Sequence, residues 1–419
     1  MQRIYQEVEN SGFKISTDTR TDVSGSVYFA LKGETFDGNE FVHNAIEKGA
    51  LAAISSDPTI NLKNVYIVED VLKTLQEIAK IYRKTFDIPI IAIGGSNGKT
   101  TSKELLREVL ETKYKVHATK ENLNNHIGVP LSILSMSKDT EIGIFEIGAN
   151  HPNEHTRLLE ILEPDIVAIT NNGLDHLEGF ISPMGVRNAN KEIYDWALGN
   201  SRIAFVNEKA SDLMEDSKGL QRVLYPEHSL KITNSIPLTI KFGNEEYRTK
   251  LVGDYNLINI QFALSLGKHF EVRPETGLRA ITEYHPSSKR SELIIIGDNN
   301  FIIDCYNANP SSMMLSLESF IKGSKRPCGA ILGDMLELGG YSDEEHRKVL
   351  SYLAIQELDL IVFIGNSFKK ALGDNPYKKY FWFPTSDDAR EWFSKQHFEK
   401  CTFLLKGSRG IKVEKILGL

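Results

Sequence analysis

The chain has few cysteines and no long apolar run, and both absences narrow what it can be. Its 419 residues include three cysteines, Cys305, Cys328 and Cys401, which are odd in number, far apart and form no C-x-x-C pair. This usage fits a reducing compartment rather than a disulfide framework. No apolar run reaches the roughly 18 residues that a membrane-spanning helix needs, and the first residues lack the apolar core of a signal peptide. We therefore expect a cytoplasmic protein.

The chain also lacks an excess of positive charge, since its formal net charge is −7. This balance argues against non-specific binding of nucleic acid. There are no low-complexity stretches or internal repeats, and no Ser-His-Asp or Cys-His arrangement is evident. What remains is an ordinary globular composition, with 41% hydrophobic and 25% charged residues, over a length that suggests roughly three domains.

The most informative motif is a glycine-rich loop between an apolar strand and a helical pattern. Its glycines let backbone N–H groups approach a polyphosphate, and the helix N-terminus adds a positive field. Lys99 supplies a charge for the β- and γ-phosphates, and Thr100 or Thr101 can hold Mg²⁺. The phosphate-binding residues predicted are Gly95, Ser96, Asn97, Gly98, Lys99, Thr100 and Thr101. The motif is the short G-x-x-G-K-T, which also occurs by chance in ordinary strand–turn–helix units, but its context favours nucleotide binding.

Alternating strand and helix patterns divide the chain into three α/β segments, which we place at 1–84, 85–285 and 286–419. Apolar strands are predicted at 27–31, 50–54, 88–93, 142–147, 165–170, 202–206, 301–305, 329–332, 360–364 and 402–405, and a helix at 71–82. This alternation predicts mainly parallel sheets in the second and third segments, with the ligand at the C-terminal ends of the strands.

Polar residues at the strand ends of the second segment are candidate ligands. Glu146 interrupts an apolar strand, and a buried carboxylate is costly unless it meets a cation, so it is a candidate Mg²⁺ ligand; a structural ion pair is the alternative. His176 follows the next strand and could bind a second metal ion or a phosphate, or simply be solvated. Asn124 and Asn125 offer donors and acceptors for phosphate, sugar or peptide, although a turn also explains them.

The third segment carries weaker signals of the same kind. Asp304, Tyr306 and Asn307 follow a strand and could contact a ribose and a base. Asp334 and the loop that begins at Lys406 also follow strands, and the second loop resembles an anion-binding loop. Taken singly, each of these positions is as well explained by a structural role.

Taken in order and together, several short sequence segments resemble the Mur ligase family, most closely its MurF type, and they extend over nearly the whole chain. The segments that carry the resemblance are 17–20, 29–34, 36–38, 95–100, 122–130, 146–150, 176–180 and 306–310. The resemblance implies an N-terminal UDP-binding α/β domain, a central P-loop parallel-sheet ATPase domain, and a C-terminal Rossmann-like α/β domain. The last would close over ATP and bind the incoming dipeptide.

The implied activity is ATP-dependent ligation of D-alanyl-D-alanine to UDP-N-acetylmuramoyl-tripeptide, through an acyl phosphate, in peptidoglycan precursor synthesis. ATP and Mg²⁺ are the implied cofactors, and we expect a monomer. Because water would destroy an acyl phosphate, the domains should close around it, with residues 285–288 as the hinge. The alternatives are a related ligase that adds a single amino acid to a UDP-muramyl peptide or a folate, and a nucleotide-binding regulatory protein.

The resemblance also implies residue roles. Lys99, Glu146 and His176 would be catalytic, and Thr100, Glu146 and His176 would hold metal. The nucleotide contacts beyond the glycine-rich loop would be Asn256, Asn259, Arg290, Asp304, Tyr306 and Asn307. The substrate contacts would be Thr19, Lys32 and Gly33 near the UDP end and Asp334, Lys406 and Ser408 near the incoming dipeptide. Asn124 and Asn125 would be further substrate contacts.

The chain departs from the family pattern at two positions. Tyr255 stands where the family usually has histidine, and we expect a small effect because tyrosine keeps a polar tip and a stacking face. Asn190 stands where the family commonly has a carbamylated lysine, four residues before Tyr194. Lys191 is the next residue, but one step along a helix rotates a side chain by about 100°. We therefore hypothesise that the second metal is organised without a carbamylated lysine.

Overall fold

The computed structural model describes residues 1–286, 289–373 and 380–419, and its first domain is built on a small parallel sheet. The elements of this N-terminal domain are α1 (Gln2–Asn10), β1 (Ile15–Ser16), β2 (Val27–Phe29), α2 (Val42–Glu47), β3 (Ala52–Ser55), β4 (Val65–Ile67) and α3 (Val71–Arg83). The strand order is β1-β2-β3-β4. Helix α3 begins where the Asp70 carboxylate accepts the Lys73 N–H, and its apolar face packs on the sheet, as its spacing predicts.

The middle domain is larger and carries the glycine-rich loop. Its elements are β5 (Ile90–Gly94), α4 (Lys99–Glu111), β6 (Val116–Ala118), α5 (Gly128–Leu134), β7 (Ile142–Glu146), α6 (Glu154–Leu162), β8 (Ile166–Ile169), α7 (Leu177–Phe180), α8 (Pro183–Gly199), β9 (Ile203–Asn207), α9 (Ser211–Asp216), β10 (Gln221–Tyr225), β11 (Lys231–Ser235), β12 (Leu238–Phe242), β13 (Glu245–Arg248), α10 (Asn256–His269) and α11 (Pro274–Glu283). The main sheet has the order β10-β9-β8-β5-β7-β6, and all its pairings are parallel. The predicted parallel sheet is confirmed.

Strand β5 lies at the centre of this sheet and is buried on both faces. Ile90 and Ala92 face one core, which also contains residues of the N-terminal domain, whereas Ile91 and Ile93 face the other. Alternate residues of a strand point to opposite faces, so an apolar run without alternation is what a doubly covered parallel strand needs. The end of β5 is thereby held rigidly against helices on both sides.

A small antiparallel sheet, β11-β12-β13, was not predicted from the sequence. Its outer strands are mostly polar and exposed, and only the middle strand has a clear buried face, formed by Leu238 and Ile240. The sequence interpretation relied on compact apolar runs, which such one-sided strands lack.

The C-terminal domain has a second mainly parallel sheet. Its elements are β14 (Glu292–Ile296), β15 (Asn299–Asp304), α12 (Pro310–Gly323), β16 (Cys328–Gly333), α13 (Ser342–Ala354), β17 (Leu360–Ile364), α14 (Asn366–Leu372), β18 (Tyr380–Phe383), α15 (Ser386–Phe393) and β19 (Thr402–Lys406). The order is β14-β15-β19-β16-β17-β18, and β14 is an antiparallel edge strand that was not predicted. Of the proposed hinge at 285–288, Ser287 and Ser288 lie outside the described residues.

The C-terminal domain packs directly against the middle domain. Leu177 and Phe180 of α7 belong to the same apolar cluster as Met335 and Leu338, which follow β16. This packing brings the C-terminal strand ends of the two sheets to face each other across a cleft. Within the ranges that the structure describes, no helix has both the length and the apolar character needed to cross a membrane.

Candidate active site

The glycine-rich loop is shaped by two glycines that no other residue could replace without strain. Gly95 and Gly98 have φ of +112° and +82°, a region that L side chains avoid. A Cβ on Gly95 would lie 2.4 Å from the Thr170 hydroxyl oxygen, and one on Gly98 would lie 2.8 Å from the Asn259 amide oxygen. The loop is therefore pressed closely against both the end of β8 and the start of α10.

Lys99 opens helix α4 and bends back over the loop. Its ammonium group donates to the Gly95 carbonyl oxygen and to the Ser96 carbonyl oxygen, the latter at 3.1 Å. The backbone N–H groups of Ser96 and Asn97 are bound by the Asn171 carbonyl and side-chain oxygens at 2.9 and 3.2 Å. The loop is thus held in shape by protein contacts, and the Lys99 ammonium lies where a polyphosphate would meet the helix N-terminus.

Glu146 ends β7 and is only 2% exposed. The Thr100 hydroxyl donates to one of its carboxylate oxygens at 2.8 Å, and the Asn124 amide donates to the other at 2.7 Å. Both carboxylate oxygens thus accept hydrogen bonds from neutral donors, and among the described residues no lysine or arginine pairs with Glu146. Oxygens of Thr100 and Glu146 therefore converge at the helix start, which is the donor chemistry that Mg²⁺ prefers.

Lys103 and Thr119 support Glu146 from behind and were missed by the sequence analysis. Lys103 is fully buried, donates to the Thr119 carbonyl oxygen, and forms an ion pair with Glu104 at 2.8 Å. The Thr119 hydroxyl in turn accepts the Glu146 N–H at 3.0 Å. The available signal was the position of Lys103, one helical turn after Lys99 on the same side of α4.

The opposite wall of the cleft is built on Asp304, at the end of β15. Its carboxylate accepts bonds from the Lys406 ammonium at 2.6 Å and the Ser316 hydroxyl at 2.8 Å. Ser291 links this group to the middle domain, because its hydroxyl lies 2.7 Å from the Tyr255 hydroxyl. Tyr255, one of the two departures from the family pattern, therefore makes a polar contact across the domain boundary.

Arg290 and Tyr306 form a flat surface beside this wall. The guanidinium carbon lies 3.5 Å from the centre of the Tyr306 ring, and Arg409 lies further out at 5.4 Å. Stacked guanidinium and aromatic groups present a planar face that suits a flat heterocycle.

One cavity of about 410 Å³ joins these groups. The predicted site residues that line it are Ser96, Asn97, Gly98, Lys99, Thr100, Thr101, Asn124, Asn125, Glu146, His176, Asn256, Asn259, Arg290, Asp304, Tyr306, Asn307 and Lys406. Asp175 also lines it and was not predicted. One carboxylate oxygen of Asp175 is buried without a hydrogen-bond partner among the described residues, so the cavity wall has unused capacity to bind a donor or a cation.

Two predicted substrate contacts, Asp334 and Ser408, do not line this cavity, and their roles remain predictions. Both carboxylate oxygens of Asp334 accept backbone N–H groups at the start of α14, from Ser367 and Phe368, at 2.8 and 2.9 Å. The Ser408 hydroxyl donates to the Ala308 carbonyl oxygen and accepts the Leu336 N–H. Their polar atoms hold the C-terminal domain together, and a position after a strand does not reveal which way a side chain turns.

The residues predicted at the UDP end lie apart from the cavity, in the N-terminal domain. Lys32 forms an ion pair with Asp37 at 2.9 Å beside a shallow hollow. The Gly33 N–H is bound to the Phe36 carbonyl oxygen, and Thr19 is buried with its carbonyl oxygen bound by Lys48. Gly95, a predicted phosphate-binding residue of the middle domain, also does not line the cavity, although it shapes the glycine-rich loop. The roles assigned to these residues remain predictions.

Asn190 and Lys191 point in different directions on α8. Asn190 is buried, and its amide donates to the Asn172 side-chain oxygen at 2.9 Å. Lys191 pairs with Asp195 on the helix surface. No group of three or more His, Cys, Asp or Glu side chains is poised for a metal ion within residues 1–286, 289–373 and 380–419. The hypothesis that no carbamylated lysine serves a second metal stays open, and its test is given below.

We expect Asp304→Asn to destabilise the C-terminal domain by about 3–5 kcal/mol, because Lys406 would be left buried without its counter-charge. Burial raises the pKa of the Asp304 carboxyl, but Lys406 overcomes this effect and holds it below the usual 3.8. A lowered carboxyl pKa contributes stability that is present above pH 3.8 and is lost as the pH falls through the folded-state value.

Urea unfolding of wild type and Asp304→Asn at several pH values checks this. The difference in free energy of unfolding should be full near neutral pH and shrink as the pH falls towards the acid range. Ser316→Ala, which removes a neutral donor from the same carboxylate, should cost only about 1 kcal/mol. Equal stability of wild type and Asp304→Asn at neutral pH would contradict the buried ion pair.

The P-loop follows the C-terminal end of a central parallel strand, and a second α/β domain faces it across a polar cleft. This arrangement is typical of an ATP-dependent ligase. Three family models match: the Mur ligase family catalytic domain over residues 14–91, the Mur ligase middle domain over 93–267, and the Mur ligase glutamate ligase domain over 289–409. The chain belongs to the Mur ligase family.

Relatives narrow this assignment within the family. The chain is 30% identical to the UDP-N-acetylmuramoyl-tripeptide–D-alanyl-D-alanine ligases of Bacillus subtilis (strain 168) and Haemophilus influenzae, over 96% of this chain and 92% of each relative. It resembles a crystal structure of MurF from Acinetobacter baumannii with a TM-score of 0.87 and 28% identity, covering 100% of this chain and 97% of that one. The predicted resemblance to the MurF type is thereby confirmed, and with it the three-domain fold class.

Proposed function

We propose that this protein joins D-alanyl-D-alanine to the terminal carboxylate of UDP-N-acetylmuramoyl-tripeptide at the expense of ATP. The observation that carries the proposal is the single cavity in which Lys99, Thr100 and Glu146 of the middle domain face Asp304 and Lys406 of the C-terminal domain. The names of the full-length relatives support the choice of substrates.

The chemistry needs activation because a carboxylate oxygen is a poor leaving group. The tripeptide carboxylate attacks the γ-phosphorus of ATP, and ADP leaves with the electrons of the broken bond, giving an acyl phosphate. The dipeptide amine then attacks the acyl carbon and loses a proton as inorganic phosphate departs. No nucleophilic side chain is required, so the protein acts by positioning and by charge stabilisation.

Lys99 is the cation that would serve the transferred phosphoryl group. Its present acceptors are two carbonyl oxygens of the loop, which are weaker partners than a phosphate oxygen. Lys99 can therefore replace its contacts with these two carbonyl oxygens by contacts with the β- and γ-phosphates. Arg290, stacked on Tyr306, would lie against the nucleotide, and Asn259, which abuts Gly98, would keep the loop in register with it.

Mg²⁺ fits the residues at the helix start. Thr100 and Glu146 would hold it, with His176 at a second position, and Asp175 contributes an unpartnered oxygen to the same wall. When bound, the ion would neutralise charge on the phosphoryl oxygens. Thr100 and Asn124 hold the Glu146 carboxylate in its orientation through their two hydrogen bonds.

We further propose that residues 1–84 bind the UDP end, 85–285 bind ATP, and 286–419 close over it and receive the dipeptide. A cytoplasmic monomer is part of the proposal, and the three buried, unpaired cysteines support a reducing compartment. Light scattering of the purified protein, with and without substrates, tests the oligomeric state.

Release of inorganic phosphate tests the function. With ATP, Mg²⁺ and UDP-N-acetylmuramoyl-tripeptide, we expect sustained release only when D-alanyl-D-alanine is added, together with a product heavier by one dipeptide less one water. Hydroxylamine in place of the dipeptide should trap the acyl phosphate as a hydroxamate. Release with single amino acids but not with the dipeptide would instead indicate another ligase of the family. ATP binding without release under any condition would indicate a regulatory protein.

A further inference from the structure

His176 of the middle domain contacts Glu337 of the C-terminal domain. The His176 Nδ1 atom lies 2.6 Å from a Glu337 carboxylate oxygen. Glu337 makes a second contact with the same segment of the middle domain: its carbonyl oxygen accepts the Glu178 N–H at 3.1 Å. Glu337 lies in the loop after β16, three residues beyond the predicted site residue Asp334, and the proposed function did not use it. This double contact ties the loop to a predicted metal ligand.

Both ends of the contact adopt unusual backbone conformations. His176 and Glu337 have φ of +47° and +62°, a region in which a non-glycine residue is strained and persists only when the surrounding structure holds it there. The surrounding apolar cluster, with Leu177 and Leu338 beside the two residues, provides the packing that holds them. Backbone strain on both partners of one interdomain contact indicates that the position of Glu337 relative to His176 is important for function.

The contact also decides which nitrogen of His176 is free. A carboxylate can only accept a hydrogen bond, so Nδ1 carries a proton in this contact, and the neutral imidazole then has its lone pair on Nε2. His176 lines the cavity, whereas Glu337 is not among the described residues that line it. A histidine that binds a metal almost always donates its other N–H to a carboxylate or carbonyl, which fixes both tautomer and orientation.

We propose that Glu337 is a positioning residue, which reaches from the C-terminal domain to hold His176 with Nδ1 protonated and Nε2 available as a ligand. The inference rests on the proposed function, and it makes the His176 site complete only when the C-terminal domain is docked. The γ-phosphate would then be activated only in the closed enzyme, where an acyl phosphate is shielded from water.

A purely structural ion pair is the competing explanation, and the chain contains a matched control. Lys322 of the C-terminal domain pairs with Asp254 of the middle domain at 2.7 Å, and no atom of Lys322 lines the cavity. The Lys322 side chain is largely exposed, so solvent weakens this ion pair and its loss should have little effect. If Glu337 only helps to hold the domains together, Glu337→Ala and Lys322→Ala should behave alike.

The test compares Glu337→Ala, Glu337→Gln and Lys322→Ala in the full-length enzyme. We expect Glu337→Ala to raise the Mg²⁺ concentration for half-maximal rate by about 10- to 100-fold and to lower kcat, with the KM for ATP unchanged. Glu337→Gln should recover part of the loss, because its amide oxygen still accepts the Nδ1 proton. Lys322→Ala should match wild type.

A second readout does not depend on turnover. Mn²⁺ binding, followed by electron paramagnetic resonance in the presence of a non-hydrolysable ATP analogue, should weaken in Glu337→Ala by a similar factor and stay unchanged in Lys322→Ala. Equal metal affinity in all variants would overturn the role of Glu337, even if the wild type is an active ligase. A wild type that fails to release phosphate would refute the proposed function instead, and Mn²⁺ binding would still decide the inference. If thermal unfolding shows that Glu337→Ala is misfolded, the same comparison is made with Glu337→Leu, which fills similar space but offers the Nδ1 proton no oxygen acceptor.

Discussion

Lys99→Met lowers kcat by about 10²–10³-fold or more, the loss expected when one charged donor to a developing phosphoryl charge is removed. Methionine keeps the length and apolar character of the lysine stem but carries no cation. Folding should be almost unaffected, because the ammonium is bound only to two loop carbonyl oxygens, of Gly95 and Ser96. Phosphate release and thermal unfolding, measured on the same preparation, check both parts.

Lys191→Met is the matched control for this substitution. Lys191 lies on the exposed side of α8, paired with Asp195, so its loss should leave the rate and the metal dependence unchanged. That result would also support the hypothesis that no carbamylated lysine serves a second metal here. A Lys99→Met enzyme with nearly wild-type kcat would show that the glycine-rich loop does not hold the transferred phosphate.

Glu146→Gln should reduce kcat by a comparable factor, about 10²–10³-fold, through loss of the negative charge at the start of α4. The substitution also turns an amide N–H₂ towards groups that donate to the present carboxylate, Thr100 and Asn124. One of these donors would lose its acceptor, which costs about 1–3 kcal/mol of stability. Steady-state kinetics at increasing Mg²⁺, with denaturant unfolding, measure the two effects separately.

Glu154→Gln tests whether any carboxylate in the cavity would give the same result. Glu154 lines the same cavity, but one of its oxygens accepts the backbone N–H groups of Asn150 and His151, at 2.7 and 3.2 Å. An amide oxygen can replace that acceptor, so we expect a much smaller loss of rate. If Glu146→Gln and Glu154→Gln lose activity equally, the cavity responds to total charge, and Glu146 has no special role.

The glycine-rich loop was predictable because every part of its function is local. An apolar strand, two glycines, Lys99 and a helix start follow one another in the chain, and their geometry is set by neighbours in sequence. Glu146 was predictable for a related reason, since a carboxylate in an apolar strand needs a partner. Its partners were not, because Asn124 was expected to contact substrate and is found bound to Glu146.

The C-terminal domain shows what a position after a strand leaves undecided. Asp334, Lys406 and Ser408 all follow strands, and all three were expected to contact the dipeptide. Lys406 does line the cavity, whereas the other two bind backbone groups within their own domain. The strand register determines which loop reaches the cleft, but the direction of each side chain depends on packing that no local pattern reveals.

The amino-acid sequence by itself determined the fold class, the glycine-rich loop and the family, because these depend on periodicity and on motifs of a few residues. Only the tertiary structure decided the partners of the site. Lys103 meets Thr119, Asp304 meets Lys406, and His176 meets Glu337 through contacts between segments that are far apart in the chain or in different domains. The packing of one domain against another brings these groups within hydrogen-bond distance, and that packing is a sum of many apolar contacts rather than a property of any short stretch of sequence.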